Sequence, residues 1–401
     1  MEAISLITAP HDSIRLSLLT CAAGDEIYSL FGHSAIRYEN YTQKMDLVFN
    51  YGIFNFNTPN FVFRFALGET DYRLGAIDYE RFIEEYVWMK RTVWQQTLNL
   101  RPDEKERLVA ALLENYRPEN QVYRYNFFYD NCATRPRDRI ERAVDGTVLY
   151  AEDMVSTHVG VTFRSLIYHY TEQHLWARFS IDFCLGSPAD QPINRRAMMF
   201  IPFYVRDFFA KAQIADNSKL SITSLDTVDS MDLVGSRRPL VSKEETLLDM
   251  ESLSTSGSWT DFFTPMCTFL LLLLLISMAT LYGIFTRRSL WVLDVLLFFA
   301  AGVAGCVVAF LFFFSQHPAV SPNYLLIVFH PLHLLFLPYI YIKVKRKELC
   351  CYMVVVGIML TLFIALSAVI PQKINAAVLP LTACLLVRIV SNIILSYKSN
   401  E

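Results

Sequence analysis

The sequence has no pair of cysteines at CxxC spacing, although it contains eight cysteines among 401 residues. Without that spacing, a zinc site or a dithiol redox motif has no support. Three cysteines precede residue 260: Cys21, Cys132 and Cys184. An odd number leaves at least one thiol unpaired if this part of the chain is exported, and the disulfide state of Cys21 and Cys184 stays open.

A basic surface pattern is also lacking. The 36 basic and 39 acidic side chains give a formal net charge of −3, and no basic stripe with interleaved aromatic residues stands out. The sequence therefore favours no nucleic-acid partner. It contains neither an internal repeat nor a low-complexity tract.

Long apolar runs, by contrast, follow one another after residue 260. Five of them approach or exceed the roughly 20 residues that a helix needs to cross a bilayer. They cover residues 262–285, 290–314, 324–342, 352–370 and 376–397. We predict a soluble domain over residues 1–212, a linker or loose β-segment over 213–260, and a transmembrane domain with five helices over 261–401.

Basic residues in the loops predict the orientation. Arg287 and Arg288 lie between the first two runs, and four more basic residues lie within 343–347. Such loops stay on the cytoplasmic side, so the N-terminal domain faces outward and the C-terminus lies inside. The first residues, MEAISLITAPHDSIRL, show no basic start and no long apolar segment. Because the topology requires export, we expect that a signal sequence was removed or replaced by Met1.

The soluble part mixes strand and helix patterns. Residues 14–20 and the segment near 34–38 are rich in β-forming residues, and residues 41–52 supply a turn and the return strand of a hairpin. Helical patterns follow near 78–89 and 101–116, the second with a proline in its first turn. These patterns predict an α+β domain.

His33 and Cys132 are the first candidates for chemistry. FGHSAIRY places His33 at the opening of a strand, and YDNCATRPRD places Cys132 at the opening of a helix capped by Asn131 or Thr134. A helix N-terminus lowers the pKa of a thiol, and a nearby imidazole could accept its proton to give a thiolate–imidazolium pair. A buried structural cysteine and an unrelated strand histidine explain the spacing equally well.

Four segments, in order, resemble the Lnb N-terminal periplasmic domain family. They are LLTCAAGDEIYSLFGHSAIRY, NYGIFNFNTPNFVFRFALGETDY, YRYNFFYDNCATRPRDRIERAV and LGSPADQPINRRAMMFIP, and FSQHPAVSPNYLLIVFHPLHLL in the membrane part is similar as well. The family comprises bacterial lipoprotein N-acyltransferases. The resemblance implies a circularly permuted papain-like fold, related to the NlpC/P60 and lecithin:retinol acyltransferase groups, followed by the five-helix transmembrane bundle.

The resemblance implies that Cys132 is the nucleophile and His33 its base. The hairpin makes Asn50 or Tyr51 the candidate that orients the imidazole. Asn50 offers an amide oxygen that could accept the ring N–H, whereas Tyr51 lies nearer the position directly opposite His33 in a simple strand pairing. For either residue a purely structural role is the alternative. Backbone N–H groups at the start of the Cys132 helix would stabilise an oxyanion.

Further residues are candidates for substrate binding. Arginine can hold a lipid phosphate through two hydrogen bonds, while Asp–Arg pairing within the turn is the favoured alternative. In the membrane part, side chains at the outward ends of the second and third runs could line a cleft for lipid or make ordinary interhelical hydrogen bonds. The candidates are Asp130, Asn131, Arg135, Arg137, His317 and Asn323. Asp190 fits a turn, whereas the roles of Phe163 and Arg164 stay open.

The implied reaction is transfer of a fatty acyl chain from a membrane lipid, through a Cys132 thioester, to the α-amine of a diacylglyceryl-cysteine lipoprotein. Its partners would be a phospholipid donor, a diacylated lipoprotein acceptor and the bilayer of the bacterial inner membrane. No metal or soluble cofactor is implied, because the ester supplies the energy. The donor could instead be the lipoprotein's own glyceryl ester. The alternatives are a membrane-anchored peptidase or amidase acting on cell-wall peptides, and a non-catalytic receptor.

Overall fold

The computed structural model describes residues 13–54, 59–151, 160–216, 237–250 and 263–400. Contacts divide the chain into two compact units. The first comprises Met1–Val161 with Ile193–Ser254, and the second Thr162–Pro192 with Thr255–Glu401. The soluble domain predicted over residues 1–212 is therefore interrupted, because residues 162–192 pack with the apolar C-terminal helices.

The first unit is built on a seven-stranded sheet of antiparallel pairs, ordered β10-β5-β1-β2-β3-β4-β6. A second sheet has the order β7-β8-β9. Part of the predicted linker thus forms strands, and β10 completes one edge of the large sheet. The strands are β1 Ile14–Cys21, β2 His33–Asn40, β3 Met45–Ile53, β4 Asp71–Asp78, β5 Val93–Leu98, β6 Val122–Arg124, β7 Gly146–Leu149, β8 Gln213–Asp216, β9 Arg237–Pro239 and β10 Val241–Leu248.

Helices cover both faces of the large sheet. They are α1 Phe61–Leu67, α2 Tyr79–Trp88, α3 Pro102–Tyr116, α4 Thr134–Ala143, α7 Arg195–Met198 and α8 Pro202–Lys211. Phe82 and Tyr86 of α2 pack on one face, against a cluster that includes Leu19 and Ala35. On the other face, where alternate side chains point, Tyr51 and Gln96 hydrogen bond to α3 and α8. Burial on both sides explains why β1 has almost no exposed residue.

The second unit contains the apolar helices. Its helices are α5 Phe163–Tyr170, α6 Leu175–Cys184, α9 Pro265–Phe285, α10 Trp291–Phe314, α11 Leu332–Leu335, α12 Leu337–Lys345, α13 Cys351–Leu366 and α14 Val378–Asn400. Among the described residues, three helices are long and apolar enough to cross a membrane: α9, α10 and most of α14. These three match the first, second and fifth predicted spans.

The third and fourth predicted spans differ from continuous long helices. Residues 324–335 and α12 are long and apolar enough to cross a membrane only when they are taken together. They are bent by 77° at the break between them. Pro331 and Pro338 occupy this stretch of the chain, and proline removes a helical hydrogen bond and clashes with the preceding turn. Helix α13 is apolar but has 16 residues, about 24 Å at the rise of an α-helix.

A buried ion pair joins two of the spanning helices. The Arg388 guanidinium of α14 donates to both carboxylate oxygens of Asp294 in α10 at 2.8 and 2.7 Å, and to Thr280 of α9 at 2.9 Å. Both charged side chains are almost completely buried. Arg388 is therefore paired within the bundle rather than directed to the membrane surface.

We expect Arg388→Ala to destabilise the membrane unit by about 3–5 kcal/mol, because it leaves Asp294 buried without its counter-charge. The measurement is the temperature at which the detergent-solubilised protein loses its monodisperse peak in size-exclusion chromatography. The double variant Asp294→Leu/Arg388→Met removes both charges and should recover most of the loss. A single variant as stable as the unsubstituted protein would contradict this role.

Arg164 organises the part of the second unit that precedes the membrane helices. Its guanidinium, 1% exposed, pairs with the carboxylates of Asp182 and Asp190. It also donates to the carbonyl oxygens of Leu185 and Gly186 at 3.2 and 2.9 Å. Because a buried charge is tolerated only when it is paired and hydrogen bonded, the role of Arg164 is structural. Asp190 is a member of this network as well as a residue of a helical turn.

Candidate active site

Cys132 lies at the start of α4, in a turn organised by Asn131. The side-chain oxygen of Asn131 accepts the backbone N–H groups of Ala133 and Thr134 at 2.8 and 2.9 Å. Its amide nitrogen donates to two carbonyl oxygens, those of Phe127 and Phe200. Asn131 is 3% exposed and holds the turn that leads into the helix. Its amide is fully used in this way, so the structure does not support the predicted contact with substrate.

Cys132 and His33 converge on one glycine. Cys132 and His33 are both half-buried. A Cβ built on Gly52 would lie 3.4 Å from Cβ of Cys132 and 3.9 Å from Cε1 of His33. The Cys132 sulfur also accepts a hydrogen bond from the backbone N–H of Ser34, the residue after His33. Gly52 has φ +94°, a conformation that favours glycine.

Asn50 hydrogen bonds to the imidazole. Its Oδ1 lies 2.6 Å from Nε2 of His33. Because an amide oxygen only accepts, Nε2 carries the proton and Nδ1 is left to act as the base. The pairing of Ile36 with Phe49, continued along the hairpin, places Asn50 on the same face of the sheet as His33. This is the arrangement that the hairpin predicted for Asn50.

Tyr51 points to the opposite face, as alternation along a strand requires. It is fully buried, and its hydroxyl donates to Oδ1 of Asn115 in α3 at 2.9 Å. The structure therefore gives the alternative candidate a packing role on the far side of the sheet from the imidazole.

We expect Asn50→Ala to slow the reaction roughly 10-fold to 100-fold, because the imidazole loses the partner that fixes its orientation and tautomer. Tyr51→Phe removes a hydroxyl that contacts only the scaffold, so it should retain activity and cost about 1 kcal/mol of stability. Initial rates of both variants, with thermal unfolding as the control, measure the difference. Equal losses in the two variants would contradict the assignment of Asn50.

Burial controls the protonation of both groups. It lowers the pKa of His33 to about 4, although the hydrogen bond to Asn50 opposes this effect. Burial also raises the pKa of Cys132 to about 11, against the lowering by the backbone N–H groups of Ser34 and Cys132. The expected thiolate–imidazolium pair is therefore not the resting state. At neutral pH the site holds a thiol and a neutral imidazole, which can accept the thiol proton during attack.

The charged residues around the thiol pair with one another. Arg135 donates to both carboxylate oxygens of Asp130 at 2.6 and 2.7 Å, and its guanidinium lies 3.4 Å from the ring centroid of Tyr123. Arg137, 5% exposed, bonds to Asp138 and to the carbonyl oxygen of Arg196. The structure contains Asp–Arg pairs, the alternative that the sequence favoured. It gives no support to phosphate binding by these arginines.

A buried aromatic cluster holds the two site loops together. Phe31, two residues before His33, packs edge-to-face against Phe127, whose ring also contacts Phe128 and Phe200. Phe31, Phe128 and Phe200 are buried. The cluster fixes the loop that enters β2 beside the turn that carries Cys132. Neither this cluster nor Gly52 was singled out as functional from sequence, although both lie in the segments that carry the family resemblance.

Asn323 and His317 belong to the second unit. Asn323 is 3% exposed and donates to the carbonyl oxygen of Phe183 in α6. It accepts the backbone N–H of Leu325 and the side-chain amide of Gln372. These bonds give Asn323 a role in joining loops within the unit. His317 is half-buried, and its backbone N–H donates to Oγ of Ser315.

Two more histidines near that end of the membrane unit stack on each other, with ring centroids of His330 and His333 3.9 Å apart. His333 bonds to the Tyr352 hydroxyl and to the carbonyl oxygen of Val328. These are ordinary hydrogen bonds within the unit, which was the alternative to lining a cleft for lipid. Within the described ranges, no cluster of His, Cys, Asp and Glu side chains has the arrangement of a metal site.

Fold and site together define a membrane protein with a Cys–His site at one end of an antiparallel sheet. Two family models match the chain: Lnb N-terminal periplasmic domain over residues 3–167, and Lnb transmembrane domain over residues 257–400. Together they cover more than three quarters of its length, so the chain belongs to the Lnb family. These domains point to a membrane protein of the lipoprotein N-acyltransferase type, an enzyme of lipoprotein biogenesis with a periplasmic domain. No curated protein and no solved structure matched the chain.

Proposed function

We propose that this protein transfers a fatty acyl chain from a membrane phospholipid to the α-amine of a diacylglyceryl-cysteine lipoprotein, through a thioester on Cys132. One observation carries the proposal: Cys132 and an imidazole oriented by Asn50 converge on Gly52 in a chain with both Lnb domains. A thiol nucleophile, a base and a group that orients the base are the parts that acyl transfer requires.

The first half-reaction forms the thioester. Nδ1 of His33 accepts the proton of the Cys132 thiol as the sulfur attacks the ester carbonyl of the donor lipid. The tetrahedral intermediate collapses with cleavage of the bond to the glyceryl oxygen, which takes the proton back from the imidazolium. The products are the acylated Cys132 and a lyso-lipid. The ester's own energy is conserved in the thioester, so the step needs no cofactor.

Backbone N–H groups stabilise the oxyanion of that intermediate. Asn131 already occupies the N–H groups of Ala133 and Thr134. The N–H groups of Cys132 and Ser34 contact the sulfur in the resting site. We assign these two as the donors to the oxyanion, which develops on the oxygen of the carbon that bonds to the sulfur.

The second half-reaction consumes the thioester. The neutral α-amine of the lipoprotein attacks the thioester carbonyl, and His33 accepts a proton from the amine nitrogen. The sulfur then leaves and takes that proton, which restores the thiol and the neutral imidazole. The product is an N-acylated, triacylated lipoprotein. The N–H bond of the amine is replaced by the new N–C bond, so atoms and charges balance.

The proposal includes the predicted topology and fold. Three helices are long and apolar enough to cross a membrane, and the bent pair could be a fourth span; the proposal takes the shorter apolar helix α13 as a fifth pass. An odd number places the C-terminus in the cytoplasm when the N-terminal domain is periplasmic, as expected for the inner membrane. A cysteine before a helix and a preceding histidine on a strand are consistent with the permuted papain-like arrangement.

The experiment that tests this function is mass spectrometry of the N-terminal peptide of a diacylated lipoprotein after incubation with the full-length protein and a phospholipid with isotope-labelled acyl chains. We expect one labelled acyl group on the α-amine and one equivalent of lyso-phospholipid. An unlabelled acyl group with a lyso-lipoprotein would identify the lipoprotein's own ester as the donor. Cleavage of added cell-wall peptides without any acylation would support the peptidase alternative and overturn the proposal.

A further inference from the structure

A row of aromatic rings leads from the protein surface toward the nucleophile. The rings of Tyr28 and Phe54 meet edge-to-face with centroids 5.9 Å apart. Phe54 in turn lies 5.1 Å from Tyr72, and Tyr72 stacks on Tyr125 at 4.0 Å. We refer to these four residues as the aromatic row. Tyr28 lies in the loop before β2, which begins at His33, and Phe54 directly follows β3, which contains Gly52.

The row passes from exposed to buried. Tyr28 is 56% exposed, Phe54 and Tyr125 are half-buried, and Tyr72 is 8% exposed. Beside Tyr28, the side chain of Ile27 is also mostly exposed. Two adjacent apolar side chains therefore stand at the surface end of the row.

Phe54 brings the row close to Cys132. It follows Gly52 by two residues, and Gly52 is the residue on which Cys132 and His33 converge. A molecule bound covalently at Cys132 can therefore extend along the row from Phe54.

The chemistry of the row selects the kind of molecule. None of its four side chains carries a charge at neutral pH. Ring faces and edges offer contact area with little conformational entropy, which suits a long, unbranched, apolar chain better than a peptide that must satisfy its amide groups. The row begins at the surface, so such a chain can enter by one end.

We propose that the aromatic row is the binding surface for the fatty acyl chain of the thioester intermediate, with Phe54 as the residue that sets the preference for long chains. This inference rests on the proposed acyl transfer and identifies its substrate class as long-chain acyl esters. It assigns a specificity role to residues that make no contact with the reacting protons.

The test compares two phospholipids with the same head group, one carrying 16-carbon and the other 8-carbon acyl chains. Full-length protein in detergent is mixed with each lipid, and the rate at which Cys132 gains the acyl mass is followed by intact-mass spectrometry. We expect the long chain to react faster in the unsubstituted protein. Phe54→Ala should slow the long chain roughly 10-fold to 100-fold and leave the short chain within about threefold, since burial against one large aromatic ring accounts for that range.

Two variants control for folding and for the general loss of an aromatic ring. Phe54→Leu keeps an apolar side chain and should recover most of the long-chain rate. Tyr41→Ala removes a 59% exposed ring at the turn between β2 and β3, at the other end of those strands from His33, and should change neither rate. Thermal unfolding and alkylation of Cys132 with iodoacetamide report whether each variant is folded with its site accessible.

The outcomes separate the two proposals. If Phe54→Ala slows both lipids equally, or leaves the ratio of long-chain to short-chain rates unchanged, the aromatic row does not bind the chain and the inference fails while acyl transfer stands. If the unsubstituted protein gains no acyl mass at Cys132 from either lipid, acyl transfer through a thioester fails, and the inference fails with it.

Discussion

Cys132→Ala abolishes acyl transfer, with an expected loss of roughly 10⁴-fold or more, because no other group in the site can form the thioester. Cys132 and His33 both approach Gly52, and the backbone N–H groups of Ser34 and Cys132 bond to the sulfur. The substitution removes one atom from a half-buried side chain, so the fold should change little. The measurement is N-acylation of a diacylated lipoprotein, followed by mass spectrometry of its N-terminal peptide.

Cys184→Ser is the matched control. Cys184 lies at the end of α6 in the second unit and is also half-buried, and burial raises the pKa of its thiol to about 11 as it does for Cys132. The two cysteines thus resemble each other in environment and differ in their neighbours. Full activity of Cys132→Ala, or an equal loss in Cys184→Ser, would refute the assignment of the nucleophile.

His33→Ala is expected to lower the rate roughly 10²-fold to 10⁴-fold, the range for removal of a general base. The thiol has a pKa of about 11, so at neutral pH almost none of it is ionised and it depends on His33 to accept its proton. Raising the pH should therefore partly rescue the variant, because hydroxide supplies the thiolate that the imidazole no longer generates. A rate that is independent of pH in this variant would contradict base catalysis by His33.

The low pKa of His33 also sets the acid limb of the pH profile. Burial lowers the pKa to about 4, so the imidazole stays neutral, and able to accept a proton, well below the usual histidine value of about 6.5. We expect activity to hold down to about pH 5 and to fall as His33 becomes protonated near pH 4. The same sign applies to stability: protonation favours the unfolded chain, so stability is lost as pH falls from about 6.5 through 4. An acid limb centred near 6.5 would contradict a buried, neutral imidazole.

The hairpin shows how far the sequence reaches toward the site. A short turn and two strands predicted that Asn50 or Tyr51 would lie beside His33, and side-chain alternation decides between them once the register is known. The sequence did not reveal that register, because a shift of one residue exchanges the two side chains. The pairing of Ile36 with Phe49 is the observation that selects Asn50.

The protonation state shows a second limit. The position of Cys132 at a helix start predicted a lowered pKa, and the backbone N–H groups that lower it are present. Burial acts in the opposite direction and prevails. The depth of a side chain depends on the packing of distant segments, such as Phe200 against Phe127, which a local motif does not contain.

The membrane helices show a third limit of prediction from sequence. Apolar composition predicted the three helices that are long and apolar enough to cross a membrane, and Arg388 and Asp294 pair within the bundle. The bend within residues 324–345 was not predicted, because a run can be apolar throughout and still be broken by prolines. The grouping of residues 162–192 with the membrane helices follows from contacts such as the Gln372 amide with the carbonyl oxygen of Leu185 and the backbone N–H of Lys373 with Asp190, which join residues far apart in the sequence.

The central claim is that Cys132 carries the acyl chain as a thioester. Intact-mass spectrometry of the protein purified from membranes tests it most directly, beside a Cys132→Ser variant and after treatment with neutral hydroxylamine. The account predicts a fatty-acyl mass on the unsubstituted protein that maps to Cys132, is removed by hydroxylamine and is missing from the variant. An acyl mass that resists hydroxylamine or persists in Cys132→Ser would contradict it, as would a protein that stays unacylated at Cys132 when supplied with phospholipid and no acceptor.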